Sequence, residues 1–278
     1  MIEQLRQRLQ ALQKTAVLDG APGCLPLGIA AIDAALGGGL ARGALHEVAA
    51  VSEGHLAAAT GFAIGLVSSR RLLWIAEDMA LAESGAPHGP GLDAFGLLPE
   101  RLLTVAAARP HDLLWAMEEA LRCRAIGAVI GELRQSEIDM VMLRRLSLAA
   151  ADSGALALLL RAAPPTDAST AATRWMVGAS PSPGGGGSPS EARRGGVTYE
   201  KRSPPPASLR CASADDLPPP GGGEENRPRF AAQLTRNRRG PLGSWILEWS
   251  DSDERFLLAT PAQPVAAPAL DRPHRQVA

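Results

Sequence analysis

Two carboxylates stand where they could do chemistry. Asp78 follows the apolar run LLWIAE (72–77), and Glu132 follows the run AVIG (128–131). A carboxylate at the C-terminal end of a buried strand can take a proton from water or sit beside a metal ion, provided a substrate is clamped next to it. Without that clamp it is a polar residue facing solvent at a strand end. The other reactive side chains offer less. His46, His55, His88 and His111 show no metal-ligand spacing, and Ser52 lacks an evident His and Asp partner set. Cys24, Cys123 and Cys211 are widely separated, odd in number and without a CxxC pair, so neither a disulfide framework nor a zinc site is expected. Cys123 reads as a small buried residue in a helix. Of 28 basic residues only Lys14 and Lys201 are lysines, which leaves none between residues 15 and 200. On these grounds no catalytic residue, metal or cofactor is assigned.

The elements that would position these residues can be read from hydrophobic periodicity. Ile2, Leu5, Leu9 and Leu12 form one stripe of an amphipathic helix over residues 1–14, followed by a Gly/Pro loop. IAAIDAAL (29–36) is helical and ends at Gly37, Gly38 and Gly39. Beyond Gly43, strands are expected at 44–51, 72–77, 101–107, 125–133 and 155–161, and helices at 56–69, 111–124 and 136–154. Strands that are apolar throughout and separated by helices form a parallel sheet covered on both faces, so the fold class is a doubly wound α/β domain over residues 25–178. TRWMVG (173–178) would add an edge strand. Residues 179–226 contain Gly and Pro runs with few large apolar residues, and read as a disordered insertion that cannot bury enough surface to offset its ordering entropy. Residues 227–260 contain three strands, at 229–237, 243–250 and 254–259, a small antiparallel meander packing beside Arg174 to Val177 to complete the domain; 261–278 read as a flexible tail. No apolar stretch approaches the roughly 20 residues that span a bilayer. The N-terminus has no signal-peptide core, so a cytoplasmic protein is expected. A formal charge of −1 gives no overall attraction to nucleic acid or an anionic membrane.

The most specific stretch is LPLGIAAIDAALGGGLARGALHEVAA (25–50): a helix carrying an Asp, a glycine turn and a Gly-led strand. It resembles the RecA family, in which such a helix, turn and strand lead into a phosphate loop GxxxxGK[ST]. Ile32-Asp33, Gly37 to Gly39, Gly43 and His46-Glu47-Val48 carry the match. The resemblance implies a RecA-like fold and puts the phosphate loop at residues 49–57. The residue types that such a loop needs are missing there. Ala50 stands for the first glycine, Leu56 for the lysine that reaches the β- and γ-phosphates, and Ala57 for the hydroxyl on Mg²⁺. Glu53 adds a negative charge where phosphates would sit. Backbone amides, a lysine and a metal-bound hydroxyl act together in a working loop, so the expectation is no bound nucleotide, no cofactor and no ATPase activity. In the same register Asp78 falls near the family's water-activating Glu and Glu132 near its metal-associated Asp, and both read as relict or structural.

Within the RecA-like proteins the chain is similar to the ImuA family, through IDAALGGGLARGALHEV, LLWIAEDMA, RRLSLAAADSGALALLLR, the TRW at 173–175 and LGSWILEW. The resemblance implies a non-catalytic role in damage-induced mutagenesis by translesion synthesis. Its partners would be an ImuB-like polymerase-family protein, an error-prone replicative-type polymerase and RecA. The 179–226 insertion departs from that family's compact pattern. A SulA-like division inhibitor and a RecA-like ATPase with a noncanonical loop are the alternatives. Two segments are candidate contact surfaces. The stripe Ile2, Leu5, Leu9 and Leu12 could dock on a partner or fold back on its own domain. Arg236, Arg238 and Arg239, in an arginine-rich run without acidic residues, could meet DNA phosphates or form a solvated hairpin balanced by Asp251, Asp253 and Glu254.

Overall fold

A computed structural model describes residues 23–181 and 227–259, apart from 69, 88, 124, 135–137 and 167. The helix expected at 1–14, all but the first three residues of the insertion, His88 and the tail lie outside the described residues. The described chain begins with β1 (Cys24–Leu25), α1 (Ala30–Ala35) and β2 (Leu40–Ala41), where β1 and β2 pair antiparallel. Asp33 explains how this unit closes. Its two carboxylate oxygens accept the backbone N–H groups of Leu27 (2.7 Å) and Gly28 (3.0 Å), tying the loop to the helix that follows it. Gly39 has φ +120°, and a Cβ there would collide with the Leu25 carbonyl, so the β1–β2 approach requires glycine.

Among the described residues the central sheet has nine strands. They are β3 (Ala44–Ala50), β4 (Leu72–Glu77), β5 (Leu102–Ala107), β6 (Ala128–Leu133), β7 (Leu156–Arg161), β8 (Thr173–Ala179), β9 (Arg229–Asn237), β10 (Gly243–Ser250) and β11 (Arg255–Leu258), in the order β11-β10-β9-β8-β3-β7-β6-β4-β5. The run from β8 to β5 is parallel and the rest is antiparallel. The helices α2 (Leu56–Gly65), α3 (Asp78–Ser84) and α4 (Gly89–Asp93) lie between β3 and β5, and α5 (Pro110–Leu121) and α6 (Met140–Ser153) between β5 and β7. Alternating side chains feed two cores. Val48, Trp74, Ile130 and Leu158 meet Phe62 of α2 on the first face, while Ile75, Val129 and Leu159 meet Leu113, Met117 and Leu143 of α5 and α6 on the second. The chain advances from β3 through β4 to β5 with its helices on the first face, then returns through β6 to β7 with them on the second. Right-handed crossovers of a twisted sheet produce this arrangement, and it confirms the doubly wound α/β reading.

Four expectations change. The strand at 173–178 is not an edge: β8 lies between β3 and β9, because β9 continues its hydrogen bonding antiparallel. The meander extends the sheet edge to edge beside Arg174 to Val177 through this pairing. The stretch after Glu77 supplies the short helices α3 and α4, which at seven and five residues are too short to show a helical period. The helix expected at 136–154 starts at Met140, where the Asp139 side chain accepts the Val141 N–H, and it stops at left-handed Gly154. Cys123 is exposed, because α5 ends at Leu121 and leaves the thiol beyond the packed face.

Candidate functional site

The loop at residues 51–55 leaves the C-terminal end of β3 and enters α2. It is docked on β8: the Val51 N–H donates to the Val177 carbonyl (3.0 Å), and the His55 Nδ1 accepts the Ala179 N–H (3.0 Å). Glu53 to His55 form a 3₁₀ turn, and Leu56 and Ala57 begin α2. Ala50 is fully buried as the last residue of β3, whereas Ser52, Glu53, Gly54 and Ala57 are exposed. The four loop positions singled out in the sequence thus surround the N-terminus of α2. Only Glu53 among them has an ionisable side chain, and its charge opposes a phosphate there.

Behind that helix lies a cavity of ≈ 560 Å³ between α2 and the α3–α4 connection. Leu56, Ile64, Trp74 and Phe95 form apolar walls, Glu132 lies on the floor, and Glu53 and Arg134 also border it. Glu132 is buried and lies 3.0 Å from the Arg134 Nε. Burial pushes its carboxyl pKa above the ordinary range; Arg134 and the Trp74 N–H oppose that rise, and Glu77 adds to it. Arg134 also donates from its backbone to Glu77 (3.3 Å) and from its side chain to Ser84 (2.7 Å). Asp78 does not line the cavity; it is exposed and accepts the Met79 N–H. The pair of strand-end carboxylates in the sequence therefore separates, and Glu77 joins Glu132 instead. Arg134, two residues after Glu132, was the one available signal of this cluster. Trp74 carried none, because a tryptophan in a buried strand reads as core. Among the described residues no three His, Cys, Asp or Glu side chains group as a metal ion would need.

The residues that carried the family resemblance mostly hold the fold. His46 is completely buried. Its Nε2–H donates to the Ala41 carbonyl (2.8 Å), so its Nδ1 accepts the Thr173 hydroxyl (2.7 Å), and the Thr173 oxygen accepts the Trp175 indole N–H (3.2 Å). The carbonyl fixes this neutral tautomer, and burial lowers the imidazole pKa to about 4, slightly offset by the Ala41 hydrogen bond and assisted by Arg239. Glu47 is also buried; it accepts the Ser169 hydroxyl (2.5 Å) and pairs with Arg174. Of the arginine run, Arg236 donates to the Ala171 carbonyl (3.1 Å), and Arg239 donates to the Gly37 carbonyl (3.1 Å) and contacts the Cys24 sulfur (3.0 Å). Arg238 is the exposed member of the three. Ile2, Leu5, Leu9 and Leu12 lie outside the described residues.

This geometry defines a RecA-like α/β fold with a mostly parallel central sheet. A solved structure of the RadB recombinase is similar to this chain, with a TM-score of 0.50 and 14% identity over 84% of this chain and 98% of that one. No family model matches the sequence, and no curated protein matches it. Among the described residues no helix is long and apolar enough to cross a membrane.

Proposed function

We propose that this chain is a non-catalytic RecA-like accessory protein that acts by protein contacts in damage-induced translesion synthesis. Its partners in this reading are an ImuB-like polymerase-family protein and an error-prone polymerase, with RecA as a further contact. The observation that carries the non-catalytic part is the first turn of α2, where Leu56 and Ala57 stand at the loop exit and Glu53 is exposed beside them. A loop with neither ammonium nor metal-binding hydroxyl, and with a carboxylate at its mouth, has lost the terms that hold a nucleoside triphosphate. The ImuA resemblance supplies the mutagenesis part.

Calorimetric titration with Mg²⁺-ATP tests the first half. No micromolar binding is expected, and none after Leu56→Lys with Ala57→Thr, because Ala50 and Glu53 still oppose the phosphate cradle. Tight Mg²⁺-dependent binding by the unmodified chain would overturn the reading. Co-purification with the ImuB-like protein tests the second half.

A further inference from the structure

The cavity behind α2 carries more carboxylates than cations, and one of the carboxylates, Glu53, stands where a phosphate loop has no use for negative charge. Glu53 and Glu132 line it and Glu77 adjoins it, while Arg134 is the only cation among its described lining residues. Glu132 lies at a strand end where the family resemblance itself places an acidic residue, but Glu53 opposes phosphate and has no such origin. The Trp74 indole N–H is buried without a hydrogen-bond partner of good geometry and faces Glu132. That N–H is best satisfied when Glu132 is ionised, and burial works against ionisation. A second cation beside the carboxylate removes the conflict.

The chemistry of the walls narrows the choice of cation. An anion is repelled by three carboxylates. A bare metal ion has too few ligands, and Arg134 already lies against Glu132. An uncharged apolar group would complete the burial of Glu132 without compensating it. A cation on an apolar stem fits both halves of the cavity, and between the two common kinds a guanidinium suits it better. It is flat, weakly hydrated and able to stack on aromatic rings such as Trp74 and Phe95, and its fork matches a carboxylate.

We infer that this cavity receives an arginine side chain from a protein partner, with its stem along Leu56 and Phe95 and its guanidinium on the Glu132 and Glu53 carboxylates. The inference rests on the reading of the chain as a protein-binding scaffold and gives that scaffold one docking point. It also gives Glu53 a role: the residue that repels phosphate attracts the arginine.

The test is a titration of the full chain with acetylated, amidated arginine, read by the NMR indole resonance of Trp74, assigned by its loss in Trp74→Phe. The citrulline analogue, nearly isosteric and uncharged, is the control. Saturable binding of the arginine probe is expected, about tenfold tighter than citrulline, the size of one charge-assisted hydrogen bond. Glu132→Gln should weaken the arginine probe by a similar factor, and Glu53→Gln, at an exposed position whose loss leaves the core intact, should weaken it less. Equal binding of the two probes, absence of saturation, or affinity unchanged in both variants overturns the inference. The wild-type comparison stands even where Glu132→Gln fails to fold. A parallel ATP titration keeps the readings apart: ATP binding defeats the scaffold reading whatever arginine does, whereas loss of arginine binding alone defeats only the docking point.

Discussion

At the scale of single residues, the buried polar groups of β3 show how a motif can be preserved for structure. His46 is neutral because its two ring nitrogens are committed to a carbonyl and a hydroxyl inside the core. Its pKa falls from 6.5 to about 4 on folding. The unfolded chain therefore binds this proton near pH 6.5 and the folded chain only near pH 4. The resulting stability is present above pH 6.5 and declines as pH falls through that window, by roughly 3 kcal/mol in all. Glu132 works in the opposite direction, since a carboxyl raised by burial favours the folded state at low pH and loses that advantage as pH rises. The informative measurement is thus a comparison: urea unfolding at pH 7 and pH 4.5 for the wild type and for His46→Asn. The variant starts less stable, having lost the Ala41 and Thr173 contacts, and should show a shallower fall. Equal losses in the two proteins would exclude His46 as the source.

At the scale of elements, the junction of β3 with β8 is the last parallel pairing before the sheet turns antiparallel at β9. Glu47 and Arg174 are opposed in its register and paired on the second face, with Ser169 completing the carboxylate's shell. Removing one partner leaves the other in a place where it cannot be rehydrated. Arg174→Ala should accordingly cost about 3–5 kcal/mol. Replacing both residues, Glu47→Leu with Arg174→Met, should recover most of that loss, since no charge is then stranded. Thermal melts of the single and double variants check it. A double variant no better than Arg174→Ala would show that the pair does more than neutralise itself.

At the scale of the whole molecule, the C-terminal meander is part of the first core. Phe62 of α2 lies with its ring centroid 5.5 Å from Trp175, 6.2 Å from Phe230 and 5.2 Å from Phe256, and Trp249 meets Phe256 edge-on at 5.0 Å. The Trp249 indole N–H also donates to the Ala94 carbonyl (2.7 Å), joining the meander to the turn after α4. Phe256→Ala should therefore cost about 3–5 kcal/mol although it lies on the terminal strand, because it opens a cavity at the centre of an aromatic cluster. A loss below 1 kcal/mol in chemical denaturation would show the meander to be an appendage.

The sequence by itself determined the α/β class and the main succession of strands and helices around the sheet. Both depend on residue type and periodicity within a short window, such as the apolar runs in β3, β4, β6 and β7. Tertiary structure alone decided which residues became neighbours across long separations. Asp33 could be read as a family signature, but not that its oxygens hold Leu27 and Gly28. Glu132 could be read as a strand-end carboxylate, but not that Glu77 and Arg134 would join it in place of Asp78. The meander strands were legible, but not that β9 would pair with β8 and make it an interior strand. Strand pairing and the closure of a cavity depend on side-chain packing between segments far apart in the chain, and no local pattern encodes which of several compatible partners packs best.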